Sequence, residues 1–375
     1  MTDNLLILAD SDGNADMLYA VGMFVPDPFI YLRLAGKCHI VMSDLEIDRA
    51  RKDAGHCRII SRSRCANELE RAGLKEISTA RIIQLLLRRK RLSRVVVPSN
   101  FPLGLAEELR RLKIKVVARP GAFFPARARK SAEEVKKISA ALMMAEVGLA
   151  EGIQALKNAK IGRNRRLMHR HNPLTSEKLR AIIDTAILQA GGLANHTIVA
   201  GGEQGCDPHE VGHGILHAHE PIILDVFPRS QRTGYFGDIT RTVVKGRASQ
   251  AVRKMYDTVE RGQELAFQAF RHGADTAEVH QQVQNLFLAE GFKTGRRNGR
   301  MQGFFHGTGH GVGLELHEAP RVGSNSKDRL QSGQVVTIEP GLYYPGIGGV
   351  RLEDMALVTT NSPRNLTKFE KMLEV

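Results

Sequence analysis

The chain has 375 residues, 42% of them hydrophobic and 25% charged, with a net charge of +14. That length exceeds one ordinary core and predicts two domains, and no apolar run reaches the roughly 18 residues that span a bilayer. The charge is uneven, since residues 51–130 hold 21 Lys/Arg against 6 Asp/Glu, but no nucleic-acid motif accompanies it, so a solvated basic surface is expected and a nucleic-acid partner is not.

In chain order, the start MTDNLLILAD has an acid where a signal peptide would carry lysine or arginine, which predicts a cytoplasmic protein. LLILAD (5–10) reads as a strand, and FIYLRLAGKCHIVMS (29–43) reads as two strands around AGK. Residues 45–53 read as helix and CRIIS (57–61) as extended chain. ISTARIIQLLLRRK (77–90) and LGLAEELRRL (103–112) have helical apolar spacing, and RVVVPS (94–99) and KIKVVAR (113–119) read as strands. This is an α/β pattern, broken by PGAFFPARAR (120–129). The predicted domains are therefore 1–128 and 129–375. The cysteines, Cys38, Cys57, Cys65 and Cys206, form no CxxC pair and are expected to be isolated and reduced.

From Ser131 the pattern changes to α+β. Ser131 and Glu134 fit a capping box before apolar positions at Val135, Ile138, Leu142, Ala145 and Leu149. A second helix is expected from Thr175 to about Ala190, closed by Gly191-Gly192. HTIVAGG (196–202), PIILDVF (221–227) and FGDITRTVVKG (236–246) read as extended. The order then recurs: helix from about Ser249 to His272, helix from about Asp275, with Asp275 and Glu278 as a second capping box, and extended chain in FHGTGHGVG (305–313), QVVTIEPGLYY (334–344) and GVRLEDMALVT (349–359). Residues 131–246 and 249–359 thus predict two halves of like topology facing a cleft.

Within these apolar strands lie Asp225, Asp238, Glu339 and Glu353. Buried carboxylates are costly unless paired or bound to cations, and a cluster of them repels itself. Two divalent ions would resolve the repulsion and activate water at neutral pH. HGTGHGVGLELHE adds His306, His310 and His317. As a phosphate cradle it lacks the Lys-Ser/Thr pair and the following helix. HEVGH (209–213) matches the HExxH of zinc proteases, but Pro208 and two glycines argue against the required helix, and the match leaves Glu339 and Glu353 unexplained.

HGTGHGVGLELHE, VVTIEPGLYY, GVRLEDMALVT and GYFGDITRT resemble the signature blocks of the pita-bread metallopeptidases, which include aminopeptidase P, prolidase, methionine aminopeptidase and creatinase. The resemblance covers roughly residues 131–375 and is nearest to the Xaa-Pro peptidases; the segment before it resembles the creatinase-like amino-terminal domain more weakly. It implies a pseudo-twofold catalytic domain with two metal ions (Mn, Co, Zn or Fe) held by Asp225, Asp238, His310, Glu339 and Glu353. It further implies a proton-shuttle role for Glu339 and intermediate stabilisation by His317. His306 and Arg351 match substrate-pocket residues of the Xaa-Pro members, and Arg321 resembles an arginine of prolidase-like enzymes that could grip a dipeptide's carboxylate. The implied partners are short peptides with proline after the scissile bond, and a second copy of the chain as homodimer.

Two departures from the family stand out. The aspartates are 13 apart rather than 11, an even difference that predicts a longer hairpin without a bulge. The substrate histidine before Asp225 is expected at His209, with His213 as the alternative. Rival readings are a hydrolase or lyase of another small molecule on the same fold, and a binding protein on a peptidase scaffold.

Overall fold

A computed structural model describes residues 3–375. The chain divides into two compact units, one ending at Arg127 and the other spanning Ala128–Val375.

The first unit is built on β1 (Leu5–Ala9), β2 (Phe29–Leu34), β3 (Lys37–Met42), β4 (Arg58–Ser61), β5 (Arg94–Pro98) and β6 (Lys115–Arg119), ordered β4-β3-β2-β1-β5-β6. β2 runs antiparallel to β1 and β3, and the other pairings are parallel. Its helices are α1 (Ala15–Val21), α2 (Ile47–Asp53), α3 (Arg62–Arg71), α4 (Thr79–Arg88) and α5 (Leu103–Arg111). Strand alternation splits the core into two layers. Leu6, Ile30, Leu32 and Val95 pack with Ile83 and Leu87 of α4, while Leu5, Ile7, Tyr31 and Ile40 pack with Met17 of α1 and Phe123.

Two helices were not expected. α1 follows the cap Asn14, whose side chain accepts from Met17 N–H, and α3 follows Ser61, which accepts from Arg64 N–H. α3 buries only Cys65 and Leu69, too sparse a stripe to read against its charges. The cysteine expectation also needs correction. Cys38 and Cys57 form a disulfide, with Cα atoms 4.6 Å apart, while Cys65 and Cys206 are free and buried. Sequence spacing hid the pair because the parallel β3–β4 ladder, which sets His39 beside Arg58, brings the preceding residues together.

The second unit repeats one plan. α6 (Ala132–Asn158) carries the predicted capping box and packs on α7 (Ser176–Gln189). Between them lies a small sheet of β7 (Lys160–Ile161), β8 (Leu167–His169) and β9 (Asn172–Pro173), and β10 (Gly192–Leu193) follows. A three-stranded sheet comes next, β11 (Ile198–Gly201), β12 (Pro221–Val226) and β14 (Ile239–Val244), with β13 (Arg229–Ser230) in the loop between the last two. α8 (Gln250–Ala269) and α9 (Thr276–Ala289) start the second half. Asp275 caps α9 by accepting from Ala277 and Glu278 N–H, without a reciprocal bond from the Glu278 side chain. After the hairpin β15 (Gly295–Arg297) and β16 (Arg300–Gln302) come β17 (Gly309–Gly311), β18 (Glu318–Val322), β19 (Val335–Ile338), β20 (Gly341–Tyr344), β21 (Gly348–Arg351), β22 (Asp354–Leu357) and β23 (Arg364–Asn365). The larger sheet is ordered β18-β17-β19-β22-β23, while β20 forms a two-stranded sheet with β21 and bridges to Gly303 through Tyr343.

The segments 334–344 and 349–359, each read as one extended run, are therefore two strands each, in different sheets. The first breaks at Glu339-Pro340, where proline offers no N–H to a ladder, and the second at Leu352-Glu353. Of 305–313 only Gly309–Gly311 is strand.

Candidate metal centre

The acidic and histidine residues of the second unit converge on a cavity of about 1340 Å³. On the first sheet, Asp225 lies opposite Thr240 and Val226 opposite Ile239, with no bulge. Strand alternation puts Asp225, Asp238 and Thr240 on one face. The two extra residues between the aspartates are absorbed by the loop, in which β13 pairs with β10.

On the second sheet, β17 carries His310 directly opposite Arg321 of β18, followed by an irregular step between His310 and Gly311. This segment needs its glycines: a Cβ on Gly309 would lie 1.9 Å from Thr337 O, and one on Gly311 2.2 Å from Ala319 O. Glu339 and Glu353 stand one position beyond the last β19–β22 pair, Ile338–Asp354, so they face each other where the chain leaves the ladder. Glu339 N–H donates to Thr308 O at 2.8 Å, and Glu353 N–H donates across to Thr240 O at 3.0 Å.

Asp238, His310 and Glu353 offer ligand atoms all within 4.8 Å of one another. His310 Nε2 lies 3.3 Å from Glu339 Oε1 and 3.7 Å from Asp238 Oδ2. Its Nδ1 is 3.2 Å from Gly311 O, a contact that requires the proton there and leaves Nε2 as the acceptor. Burial, then the neighbouring His317, lowers His310 to about 3, so it stays neutral, the form that binds metals. Burial, then Glu353 and Asp225, raises Asp238 well above the carboxylate range. Burial, then Glu339 and Asp225, does the same to Glu353, and burial pushes Glu339 up to about 7.

Asp225 sits apart from this compact group. Its Oδ2 accepts from Arg351 Nη2 at 2.6 Å, while its Oδ1 is buried and has no partner. An orphaned carboxylate oxygen beside three carboxyls that resist ionisation, with one neutral imidazole, is a donor set short of positive charge. It suits a hard or borderline divalent cation.

A hydrogen-bonded chain leads away from this group. Arg351 Nη1 donates to Tyr343 Oη at 2.9 Å, and Tyr343 Oη is 2.8 Å from His306 Nε2. His306 Nδ1 lies 2.8 Å from Gly307 O and so carries the ring proton, which makes Tyr343 the donor to Nε2. Burial, then Arg351, lowers His306 to about 3. His317 lines the cavity with its ring 4.4 Å from that of His310, edge to face. Arg321 and His209 also line it; His213 does not, and its exposed side chain sits 3.6 Å from Glu210. Residues 209–213 form no helix, so the HExxH spacing does not place two histidines on one helical face.

Sequence reading missed several contributors. Thr240 Oγ1 donates to Glu353 Oε2 at 2.7 Å, and Tyr343 links His306 to Arg351. Arg241 is fully buried, donating to Glu353 O at 2.7 Å and to Asp354 Oδ1 at 2.8 Å. A charged Arg inside DITRTVV and an Asp directly after Glu353 were the available signal, since buried charges come in pairs.

Residues 133–360 match metallopeptidase family M24. A protein from Pyrococcus horikoshii described as Xaa-Pro dipeptidase is 30% identical over 287 residues, 74% of this chain and 74% of that protein. Another Xaa-Pro dipeptidase, from Pyrococcus furiosus, is 32% identical over 178 residues, 47% of this chain and 48% of that one. Among solved structures, an X-Pro aminopeptidase from Thermotoga maritima superposes with a TM-score of 0.82 at 19% identity, covering 100% of this chain and 97% of that one. A prolidase from Pyrococcus horikoshii superposes with a TM-score of 0.77 at 25% identity, covering 99% of this chain and 95% of that one. The fold is therefore the α+β pita-bread architecture expected from the signature blocks. No helix among the described residues is long and apolar enough to cross a membrane.

Proposed function

This chain belongs to metallopeptidase family M24, and from that premise we propose that it hydrolyses the Xaa-Pro bond of dipeptides or of short peptides at their amino terminus. The observation that carries the reading is the buried, charge-deficient cluster of carboxylates and one neutral histidine on the wall of a large cavity. The similarity to an Xaa-Pro dipeptidase over most of both chains favours proline after the scissile bond.

Two divalent ions of the Mn, Co, Zn or Fe type would be held by Asp225, Asp238, His310, Glu339 and Glu353. When bound they supply Lewis acidity and a nucleophile from water at neutral pH. Glu339, whose carboxylate lines the cavity 3.3 Å from His310 Nε2, is placed to handle a proton there. It takes the proton from the attacking water and passes it to the proline nitrogen, which has no hydrogen of its own in the peptide bond. His317, beside His310, donates to the oxygen on which negative charge develops. His306, kept neutral and oriented by Tyr343, lines the pocket for the proline ring together with His209. Arg351 holds Asp225 and Tyr343 in place, so its contribution to substrate binding runs through that pair. Arg321 takes the carboxylate of a dipeptide.

Proline release from an Xaa-Pro dipeptide and from an Xaa-Pro-Yaa tripeptide, with Mn or Co and with a chelated control, tests this reading. Metal-dependent cleavage of the dipeptide alone is the dipeptidase outcome, with Arg321 as the carboxylate contact. Cleavage of the tripeptide is the aminopeptidase outcome. Silence on both by the metal-loaded protein overturns the reading in favour of another small substrate or a binding role.

A further inference from the structure

The chemistry above leaves one wall of the cavity unused. After α9 the chain runs out as β15, turns at Asn298-Gly299, and returns as β16. Both turn residues have positive φ, 50° and 79°, the tight two-residue turn that suits the twist of a hairpin. The root of the hairpin is pinned. Thr294 Oγ1 accepts Phe304 N–H at 2.9 Å and donates to Phe304 O at 3.2 Å, and Tyr344 Oη donates to Lys293 O at 2.8 Å.

The register pairs Arg296 with Met301 and Arg297 with Arg300. Directly opposed residues in an antiparallel pair share a face. Met301 and Thr294 line the cavity. Arg296, opposite the first and two residues from the second, shares their face of the hairpin and stands at the rim, just outside the residues that line the cavity. Arg297 and Arg300 take the other face, where Arg300 meets Glu203 at 3.2 Å. Arg296 and two cations of the cavity lining, Arg321 and Lys327, are all exposed. Two acids share this lining and are fixed by neutral backbone groups, Asp207 Oδ1 accepting His209 N–H at 3.1 Å and Asp328 Oδ2 accepting Arg321 N–H at 2.9 Å, so Arg296, Arg321 and Lys327 stand against two carboxylates there. A low-dielectric cleft focuses the field of such cations on its mouth.

We infer that this mouth selects peptides whose leaving portion carries an anionic side chain, with Arg296 as a specificity-determining contact and Lys327 as a second. The inference rests on the peptide-cleaving reading, and it extends the substrate class from plain dipeptides to short acidic peptides.

The test compares binding of Pro-Glu and Pro-Gln, which differ in side-chain charge alone, to the full-length metal-loaded protein by titration calorimetry. Pro-Glu should bind roughly threefold to tenfold tighter, and added salt should narrow the gap. Arg296→Gln should narrow the gap, Arg296→Glu should narrow it further, and Arg296→Gln combined with Lys327→Gln should abolish it. Arg297→Gln makes the same charge change on the opposite face and should leave the gap intact. Equal binding of the two dipeptides, no measurable binding of either, or an equal loss in Arg297→Gln overturns the inference. Preference for Pro-Glu without Xaa-Pro hydrolysis sinks the catalytic reading alone, and hydrolysis without the preference sinks this one alone.

Discussion

At the scale of single residues, the cluster is a balance of unpaid charge. Four carboxylates share one region with one neutral histidine, and Arg351, which bonds one of them, is committed to Asp225 and Tyr343. Glu339 is pushed up to about 7 by burial in the metal-free cluster. Glu339→Gln keeps its shape but cannot move a proton, so kcat should fall by about 100-fold or more with the melting temperature little changed. Steady-state kinetics beside thermal unfolding checks both halves of that expectation.

The same group sets a pH signature for the metal-free protein. Burial lifts Glu339 from its ordinary 4.5 to about 7, and Asp238 and Glu353 rise with it. A carboxyl raised on folding favours the folded state when protonated. Its stabilisation is therefore full below about pH 4.5 and is lost as pH rises through about 7. Chelated protein should thus lose melting temperature across that window, and saturating Mn should restore most of it at pH 7. A chelated protein that holds its stability from pH 5 to 8 would contradict the charge-deficient cluster.

At the scale of elements, the site is made by strands that change partners. Glu339 and Glu353 are each carried where a run leaves the β19–β22 ladder, one beside Pro340 and one where its backbone N–H crosses to Thr240. β17 reaches its neighbours only because Gly309 and Gly311 have no side chains. Gly309→Ala would push a methyl into Thr337 O, displacing His310, whose backbone N–H donates to Thr337 Oγ1 at 3.1 Å. Weaker metal binding by about tenfold or more, read by calorimetry, is expected, with a stability loss of about 1–3 kcal/mol. The paired helices use a similar economy: Gly152 on α6 lies against Ile183 of α7, and Gly262 on α8 lies against Phe287 of α9.

At the scale of the whole molecule, the two compact units have separate cores and separate stabilising devices. The first contains the Cys38–Cys57 disulfide, which closes a loop with a sequence separation of 19. By loop-closure entropy such a link contributes about 3 kcal/mol. Cys38→Ser should lower the calorimetric transition of the first unit. The metal-binding isotherm, which reports on residues 225–353, should be unmoved. A shift in metal affinity of tenfold would show that the two units are energetically coupled.

The sequence by itself determined the α/β then α+β order, most helix starts, and the identity of the acids and histidines that gather at the cavity. Those features are local: capping boxes, apolar spacing, and carboxylates stranded in apolar runs announce themselves within a few residues. Short helices with thin apolar stripes, α1 and α3, were not legible because their signal lies in caps rather than in period. Only the tertiary structure decided the rest. Strand register through β3 and β4 joined Cys38 to Cys57. The switching of β19, β20, β21 and β22 between sheets set Glu339 opposite Glu353. The wall of the cavity separated His209 from His213, and burial paired Arg241 with Asp354. Each of these depends on which distant segments become neighbours, and side-chain pattern along one strand shows which face is buried but not which distant segment lies beside it.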